Sequence, residues 1–532
     1  MAITDVRTME NFSSGESNKS TSPTLSEVQT FYNGSTVFLT GATGFVGNLI
    51  LEKLIRTCSG IKAIYILIRE KKGKSTEQRF KDLFNDPVFD LMKKEQPDYL
   101  EKVSAVIGDC EKPNLGINEQ YTEILKNEVN IVIHSAATVR FDEHLRKAVK
   151  INIIALQDIL KISREIKNLK AVVHISTAYS NCAGRKSVDE VFYDLPISGD
   201  NLIQVVNNLN DEFINNVTPS LLNKWPNTYA MTKAIAEGEI LHHGRGLPVG
   251  VVRPSMILAT ANEPVRGWIN NVYGPTGVVA AVGAGLMRTM CADPNKNADC
   301  IPGDFVSNSV IVSAWDVHNR WKSYTEANSL EAESAYVKPF SPPIYHCVST
   351  TTNPFTWGEF SYYNKEYGKS IPSVKAIWPV MLFLTASKFQ YNLLCFLIHI
   401  IPAFIVDTLA RLTGYKPRLM DAYGKLHKFV GVIEYFSLRS WTFYDSNTKG
   451  LIKAMSDQDK ILFNFDISKL DWKEYFKNHV RGIRLYILKD PLDTIPEGEK
   501  HYRKLYTVYY TLVALLCALL LLLVYGLLNL FL

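Results

Sequence analysis

The chain lacks most of the features that would mark it as a metalloprotein, a nucleic-acid binder or a secreted protein. Its eight cysteines are scattered at positions 58, 110, 182, 291, 300, 347, 395 and 517, with no Cys-x-x-Cys pair. Neither a zinc site nor a redox motif follows from that spacing, so no metal is expected, and a cytosolic body keeps such thiols reduced. A net charge of +5 on 532 residues is mild. It reads as an evenly solvated surface and argues for no nucleic acid. The N-terminus has no basic start and apolar core of a signal peptide. Residues 1–33, rich in Ser, Thr, Asn and Glu, read instead as a disordered tail. There is no internal repeat, and no Ser-Lys-Leu ending, so that peroxisomal address is absent.

The longest charge-free run lies at the end. Thr511–Leu532 is a stretch of 22 residues without a charge. At ~1.5 Å per residue it spans roughly 33 Å, enough for a hydrocarbon core of about 30 Å. Tyr506, Tyr509 and Tyr510 precede it like an interfacial belt, behind Arg503 and Lys504. Positive flanks favour the cytosolic side. We expect a transmembrane anchor over 506–532 with the bulk of the chain in the cytosol. Endoplasmic reticulum is the first choice of membrane and peroxisome the second.

What is present starts near residue 40. Thr36–Thr40 is a β-branched and aromatic run that reads as a buried strand. Glycines follow at 41, 44 and 47, and then Asn48–Ile55 with helical apolar spacing. In such a strand–turn–helix Gly41 permits the tight turn, Gly44 lets a phosphate approach the backbone, and Gly47 lets helix and strand pack closely. The helix N-terminus offers N–H groups to a pyrophosphate. Thr43 and Phe45 lie in the same turn and join the expected cofactor contacts. The next strand, Ala63–Ile68, ends not in the acidic residue that binds an NAD ribose but in Arg69, with Lys71 and Lys72 close by. A cation there suits a 2′-phosphate, so NADPH is favoured over NADH; a solvated basic loop is the alternative. Strands at 103–107 and 131–133 run into Asp109, placed to reach an adenine, and into Ala136 and Ala137, small enough for a cofactor to lie on the backbone. A structural turn is an alternative for each.

A further strand, Ala171–Ile175, ends in Ser176-Thr177. A hydroxyl at a strand's carboxyl end can bond a substrate carbonyl; Thr177 is preferred and Ser176 is the alternate. Downstream, Tyr229-Ala-Met-Thr-Lys233 puts a phenol and an ammonium on one helical face. Lys233 is expected to lower the phenol's pKa and to hold the nicotinamide ribose. The strand 249–253 follows, then Pro254, another expected cofactor contact. Together these residues point to hydride transfer at a carbonyl.

The constellation resembles the extended short-chain dehydrogenase/reductase superfamily, and more narrowly the eukaryotic fatty acyl-CoA reductases. The likeness rests on Thr-Gly-Ala-Thr-Gly-Phe-Val-Gly at 40–47, His-Ile-Ser-Thr-Ala-Tyr-Ser-Asn-Cys at 174–182 and Gly-Trp-Ile-Asn-Asn-Val-Tyr-Gly-Pro-Thr-Gly at 267–277. Asp-Cys-Ile-Pro-Gly-Asp-Phe-Val at 299–306 and a tail segment with Trp441, Phe463–Asp466 and Asp471-Trp472 extend it. Gly303 departs from the family, which often has a larger residue there.

The resemblance implies an α/β Rossmann-type doubly wound parallel sheet, a mainly helical C-terminal domain and NADPH-dependent reduction of a long-chain fatty acyl-CoA to a primary alcohol. By that resemblance Tyr229, Lys233 and Thr177 or Ser176 are the active-site residues. Tyr229 and Thr177 would polarise the thioester oxygen, CoA would leave, and the aldehyde would be reduced at the same site. Alternatives are an enzyme stopping at the aldehyde, a membrane-bound reductase of sterols or sugar nucleotides, and a catalytically dead lipid- or cofactor-binding protein.

The long gap between Thr177 and Tyr229, with Asp189-Glu190 and Tyr193, is assigned to substrate enclosure. A second apolar region, Ala376–Ile405, carries Lys388, Gln390, Asn392 and His399 and is broken by Pro379 and Pro402. It reads as membrane-surface helices or the lid of an acyl tunnel, with further spans or plain core as alternatives; His399 reads as a packed or interfacial side chain rather than a ligand. The expected organisation is a reductase domain over 34–370, a helical domain over 371–490 and a short charged linker over 491–505 before the anchor.

Overall fold

A computed structural model describes residues 24–71, 73–330 and 339–531. The expected tail at 1–23, Lys72 of the basic loop and Leu532 lie outside the described residues. The central sheet has seven strands, β1 (Thr36–Thr40), β2 (Ala63–Ile68), β3 (Val103–Ile107), β4 (Ile131–His134), β5 (Ala171–Ile175), β6 (Val249–Pro254) and β7 (Ile344–Cys347). Its order is β7-β6-β5-β4-β1-β2-β3 and every pairing is parallel. Parallel strands covered on both faces need no polar side, so β1, β4, β5, β6 and β7 are buried throughout. The order reverses between β1 and β4. There the crevice outside the strand ends accepts a ligand.

The Gly-rich turn leads into the helix Phe45–Thr57, which packs against a long helix, Gly303–Leu330. Gly303 has a local reason to lack a side chain: a Cβ there would meet Leu49 at 2.8 Å and the Phe45 ring at 2.9 Å. The expected tail is shorter than 33 residues. Ser26 and Gln29 form a capping box for the helix Glu27–Tyr32, which buries Val28, Phe31 and Tyr32.

The region after 370 is largely helical, yet it is stitched back into the first part. Phe383–Thr385 pairs with Thr289–Cys291, and Thr442–Phe443 pairs with Ser187–Val188. The 267–277 segment meets the tail segment through glycines: a Cβ on Gly267 would overlap the Asn478 carbonyl, and one on Gly482 would overlap that of Gly267. Trp268 is buried, stacks on Phe45 at 5.2 Å and donates its ring N–H to Asp86 at 2.8 Å.

No linker separates body from anchor. One helix runs from Ile495 to Phe531, and its foot is clamped to the body. Gly498 lies against the Pro372 carbonyl, His501 bonds the Ala376 carbonyl at 2.7 Å, and Tyr502 takes the Val380 N–H. The stretch Leu492–Asn529 is long and apolar enough to cross a membrane, with mean hydropathy 2.8 and none of its apolar window buried.

Candidate active site

The helix starting at Phe45 has Gly44 at its N-cap and no side chain capping it, so its first N–H groups remain open to an anion. Gly41 sits at φ +75°, and a Cβ there would come within 2.7 Å of the Ala136 nitrogen. A Cβ on Gly47 would overlap the Gly41 carbonyl. Both glycines are thus required by close backbone approach. Thr40 at the end of β1 holds the β4 exit, accepting the Ala136 N–H at 3.2 Å and sharing a hydrogen bond with His134 Nδ1 at 2.8 Å. A dinucleotide fits this cradle.

At the end of β2 the cation is not free. Arg69 pairs with Asp109 at 3.2 Å and with Glu111 at 2.6 Å. Asp109 is therefore engaged by Arg69 and by the Glu111 N–H at 3.0 Å. The residue that sequence reasoning missed is Arg79, in the helix Thr76–Leu83. Its guanidinium donates to Thr43 in the Gly-rich turn at 3.2 Å and to the Arg69 carbonyl. Among the described residues it has no carboxylate partner within ion-pair distance. Burial and the Arg69 cation pull its pKa down, which an anion would relieve.

Tyr229 and Lys233 lie on the helix Thr228–His243, capped by Asn227, whose side chain takes the Ala230 N–H at 2.8 Å. The Thr177 side chain lies beside the Tyr229 phenol and opposes the rise of its pKa. Lys233 is buried and donates to the Ile175 carbonyl at 2.6 Å, with His174 Nε2 at 3.3 Å. The end of β5 thus receives both. Asn152 ties this helix to the β4 loop, accepting from the Thr138 N–H at 3.0 Å and bonding Thr232 at 2.9 Å. It sits in a π-helical turn, Lys150–Ile154, which no spacing pattern in the sequence marks.

Two expectations change. Ser176 does not face Tyr229: its hydroxyl donates to Glu237, inside a buried network in which Glu237 pairs with Arg253 at 2.6 Å and accepts from Ser180 at 3.0 Å. Nor is Lys233 seen to lower the phenol. Burial pushes Tyr229 up to about 12, opposed by the Thr177 side chain. Burial also brings Lys233 down to about 7, opposed by Glu237. Desolvation outweighs the helical neighbour in both groups.

Beside Tyr229 opens an apolar cavity with about 740 Å³ of atom-free space, open solvent at its mouth included. Phe141, Tyr179, Met256, Val278, Leu382 and Ile433 are among the side chains that line it, with Phe436 packed on the Phe141 and Tyr179 rings. Residues 183–228 contribute nothing to the lining, so the insertion does not enclose the cavity. It buttresses the sheet instead: Glu190 accepts the His346 N–H at 2.8 Å, and Arg253 donates to the Asp189 and Val191 carbonyls. Thr177 accepts the Tyr179 N–H at 3.3 Å and donates to the Pro254 carbonyl at 3.4 Å.

Among the described residues, two side-chain groups have metal-ligand proximity, and members of both make hydrogen bonds within the chain. Cys395, His399 and His427 gather within 4.8 Å, but His399 Nε2 accepts the Arg288 N–H at 3.1 Å and its Nδ1 faces His427 Nε2 at 3.1 Å. Asp200 and Glu239 both accept from the Gln157 amide beside His243.

Comparison with known proteins adds the following. Two family models described as "Male sterility protein" match residues 39–310 and 398–490. The chain is 40% identical over 508 residues to the fatty acyl-CoA reductase wat of Drosophila melanogaster, covering 95% of this chain and 94% of that one. It is 36% identical over 480 residues to fatty acyl-CoA reductase 1 of Mus musculus, covering 90% of each. Among solved structures, the terminal reductase domain of the myxalamid biosynthetic pathway superposes with TM-score 0.55 at 18% identity, over 85% of this chain and 91% of that one. The reductase domain of a Mycobacterium tuberculosis non-ribosomal peptide synthetase gives 0.55 at 19%, over 87% and 96%. These superpositions bear on the fold alone.

Proposed function

The chain belongs to the fatty acyl-CoA reductase family and is an NAD(P)H-dependent oxidoreductase of that type; we propose that it reduces long-chain fatty acyl-CoA with NADPH to the primary alcohol, through the aldehyde, releasing CoA. The observation that carries the reading is Tyr229 at the wall of an apolar cavity, with Thr177 beside its phenol at the carboxyl end of β5. A long acyl chain suits such a cavity. A sugar nucleotide does not, because its hydroxyls would lose water with no polar partners along the walls.

The nicotinamide supplies hydride when bound. The chain's own residues do the rest. Tyr229 and Thr177 donate hydrogen bonds to the thioester carbonyl oxygen, stabilising the charge that develops there. A phenol pushed up to about 12 stays protonated at neutral pH, so Tyr229 is an acid in both reductions. Lys233, held by the Ile175 carbonyl and His174, holds the ribose and returns a proton toward Tyr229. The hemithioacetal O–H gives its proton back through Tyr229 as the C–S bond breaks and CoA leaves as the thiol; the aldehyde oxygen then takes the place of the thioester oxygen at Tyr229, for reduction by a second NADPH. The walls exclude water from the acyl chain throughout.

For the cofactor, Arg79 is the better partner of a 2′-phosphate. Arg69 is held by Asp109 and Glu111 and positions Arg79 through its carbonyl. The membrane is reached by the C-terminal helix, with the body in the cytosol and the endoplasmic reticulum favoured over the peroxisome. The test is chromatography of lipids from cells expressing the protein and fed acyl precursors, beside Tyr229→Phe. Fatty alcohol that appears only with the unmodified chain supports the reading. Aldehyde alone ends the four-electron proposal, and neither product ends the acyl-CoA proposal.

A further inference from the structure

Between Leu393 and Ala410 the helical stretch Lys388–Leu412 is inside out for a protein surface. Its buried stripe, Tyr391, Cys395, His399, Ala403 and Asp407, repeats every fourth residue and holds the polar groups. Asp407 accepts the N–H groups of Arg418, Leu419 and Met420 at 3.0, 3.0 and 2.9 Å, and His399 takes that of Arg288. From Leu393 to Ala410 every exposed residue is apolar. Phe396 is 55% exposed, Phe404 61%, Leu409 56% and Leu412 78%. A helix in water turns its polar side outward, and an apolar face of this extent marks a contact surface.

The occupant is identified by what adjoins the face. Tyr502, Leu505 and Tyr506, at the foot of the C-terminal helix, share one apolar cluster with Tyr391, Cys395 and Ala403. That foot is clamped to the body at Ala376 and Val380, so the exposed face stands at a fixed position beside the anchor. Its end is basic: Arg411, Lys416, Arg418 and Lys425 are exposed. Apolar side chains flanked by cations match the hydrocarbon and headgroups of an anionic lipid leaflet.

We propose that the 393–409 face lies in the plane of the bilayer that holds the C-terminal helix, immersed in the leaflet on the side of the catalytic body, with the four cations at its headgroups. The stretch does not cross. Its polar stripe is packed on the helix Leu419–Ser437, which itself exposes Asp421, Lys425 and Lys428, and a crossing would draw those charges into hydrocarbon. Met290, Leu382 and Ile433 line the reaction cavity and belong to the same apolar cluster as Tyr391 and Cys395, so the packing behind this face is continuous with the cavity wall.

The test uses the full chain in nanodiscs of phosphatidylcholine and phosphatidylserine with a diazirine in the acyl tails. After illumination, adducts are mapped by mass spectrometry. Adducts within 393–409 as well as in the anchor are expected; adducts in the anchor alone overturn the proposal. Phe396→Glu with Leu409→Glu alters only exposed positions, and should cut adducts at 393–409 by about tenfold or more while leaving those in the anchor unchanged. Equal loss in both segments counts against a separate lipid face. In sealed vesicles, Ala386→Cys and Thr413→Cys should react with an impermeant maleimide from the same side as the catalytic body. Reaction from opposite sides means that the stretch crosses, and refutes the in-plane placement.

Discussion

Removing the Arg79 guanidinium should separate the two nicotinamide cofactors. Arg79 stands at the Gly-rich turn through Thr43 and, among the described residues, has no carboxylate partner, whereas Arg69 is bound by two carboxylates. A hydrogen bond between charged groups contributes about 1.5–3 kcal/mol, which is roughly 10- to 150-fold in an equilibrium constant. Arg79→Ala should therefore raise the KM for NADPH by that factor and leave the KM for NADH nearly unchanged. Arg79→Lys should recover part of the loss, because a point charge remains without the fork. Arg69→Ala should cost less than Arg79→Ala with NADPH, since the carbonyl that seats Arg79 is main chain and survives the change. The assay is initial-rate kinetics with each cofactor at saturating acyl-CoA. An equal loss with NADPH and NADH would refute the assignment of Arg79 to the 2′-phosphate.

Four further substitutions probe the site. Tyr229→Phe should abolish turnover and leave NADPH binding within about twofold, followed by fluorescence titration; retained turnover removes Tyr229 as the acid. Thr177→Ala should lower kcat by about 10²–10³ as one carbonyl donor is lost, and a change in KM alone would mean that it only packs. For Lys233, a folded pKa near 7 lies below the ordinary value of 10.5, so unfolding takes up a proton between those values and stability falls as pH drops from about 10.5 toward 7. The melting temperature of Lys233→Met should thus exceed that of the wild type by more at pH 7 than at pH 10, and a constant difference contradicts the burial account. Glu237→Leu leaves Arg253 buried without its carboxylate, at a cost of about 3–5 kcal/mol; denaturation with an unchanged midpoint would mean that the ion pair is not structural.

Six of the seven sheet strands were legible as short apolar runs closed by a turn residue, such as Thr36–Thr40 by Gly41, Ala171–Ile175 by Ser176 and Val103–Ile107 by Gly108; the edge strand Ile344–Cys347 was not read. The glycine spacing and the Tyr229/Lys233 pair were legible for the same reason, being local. What was not legible depends on the third dimension. Arg79 sits in a polar helix whose own sequence says nothing of the turn it reaches. Ser176 and Thr177 are adjacent, and only the side chains opposite them decide which meets Tyr229 and which meets Glu237. The helix Glu27–Tyr32, capped by Ser26 and Gln29, was missed because the polar composition before it reads as a tail. The charged stretch before the anchor reads as a linker, yet Gly498, His501 and Tyr502 turn it into a clamp through contacts with residues more than a hundred positions away.

The central claim is a four-electron reduction at one site, and stoichiometry tests it most directly. Purified full-length protein in nanodiscs would be given a limiting amount of acyl-CoA, with NADPH oxidation and free thiol followed together. Two NADPH consumed per CoA released, with alcohol as the product, is the result predicted. One NADPH per CoA, with aldehyde accumulating, would contradict it.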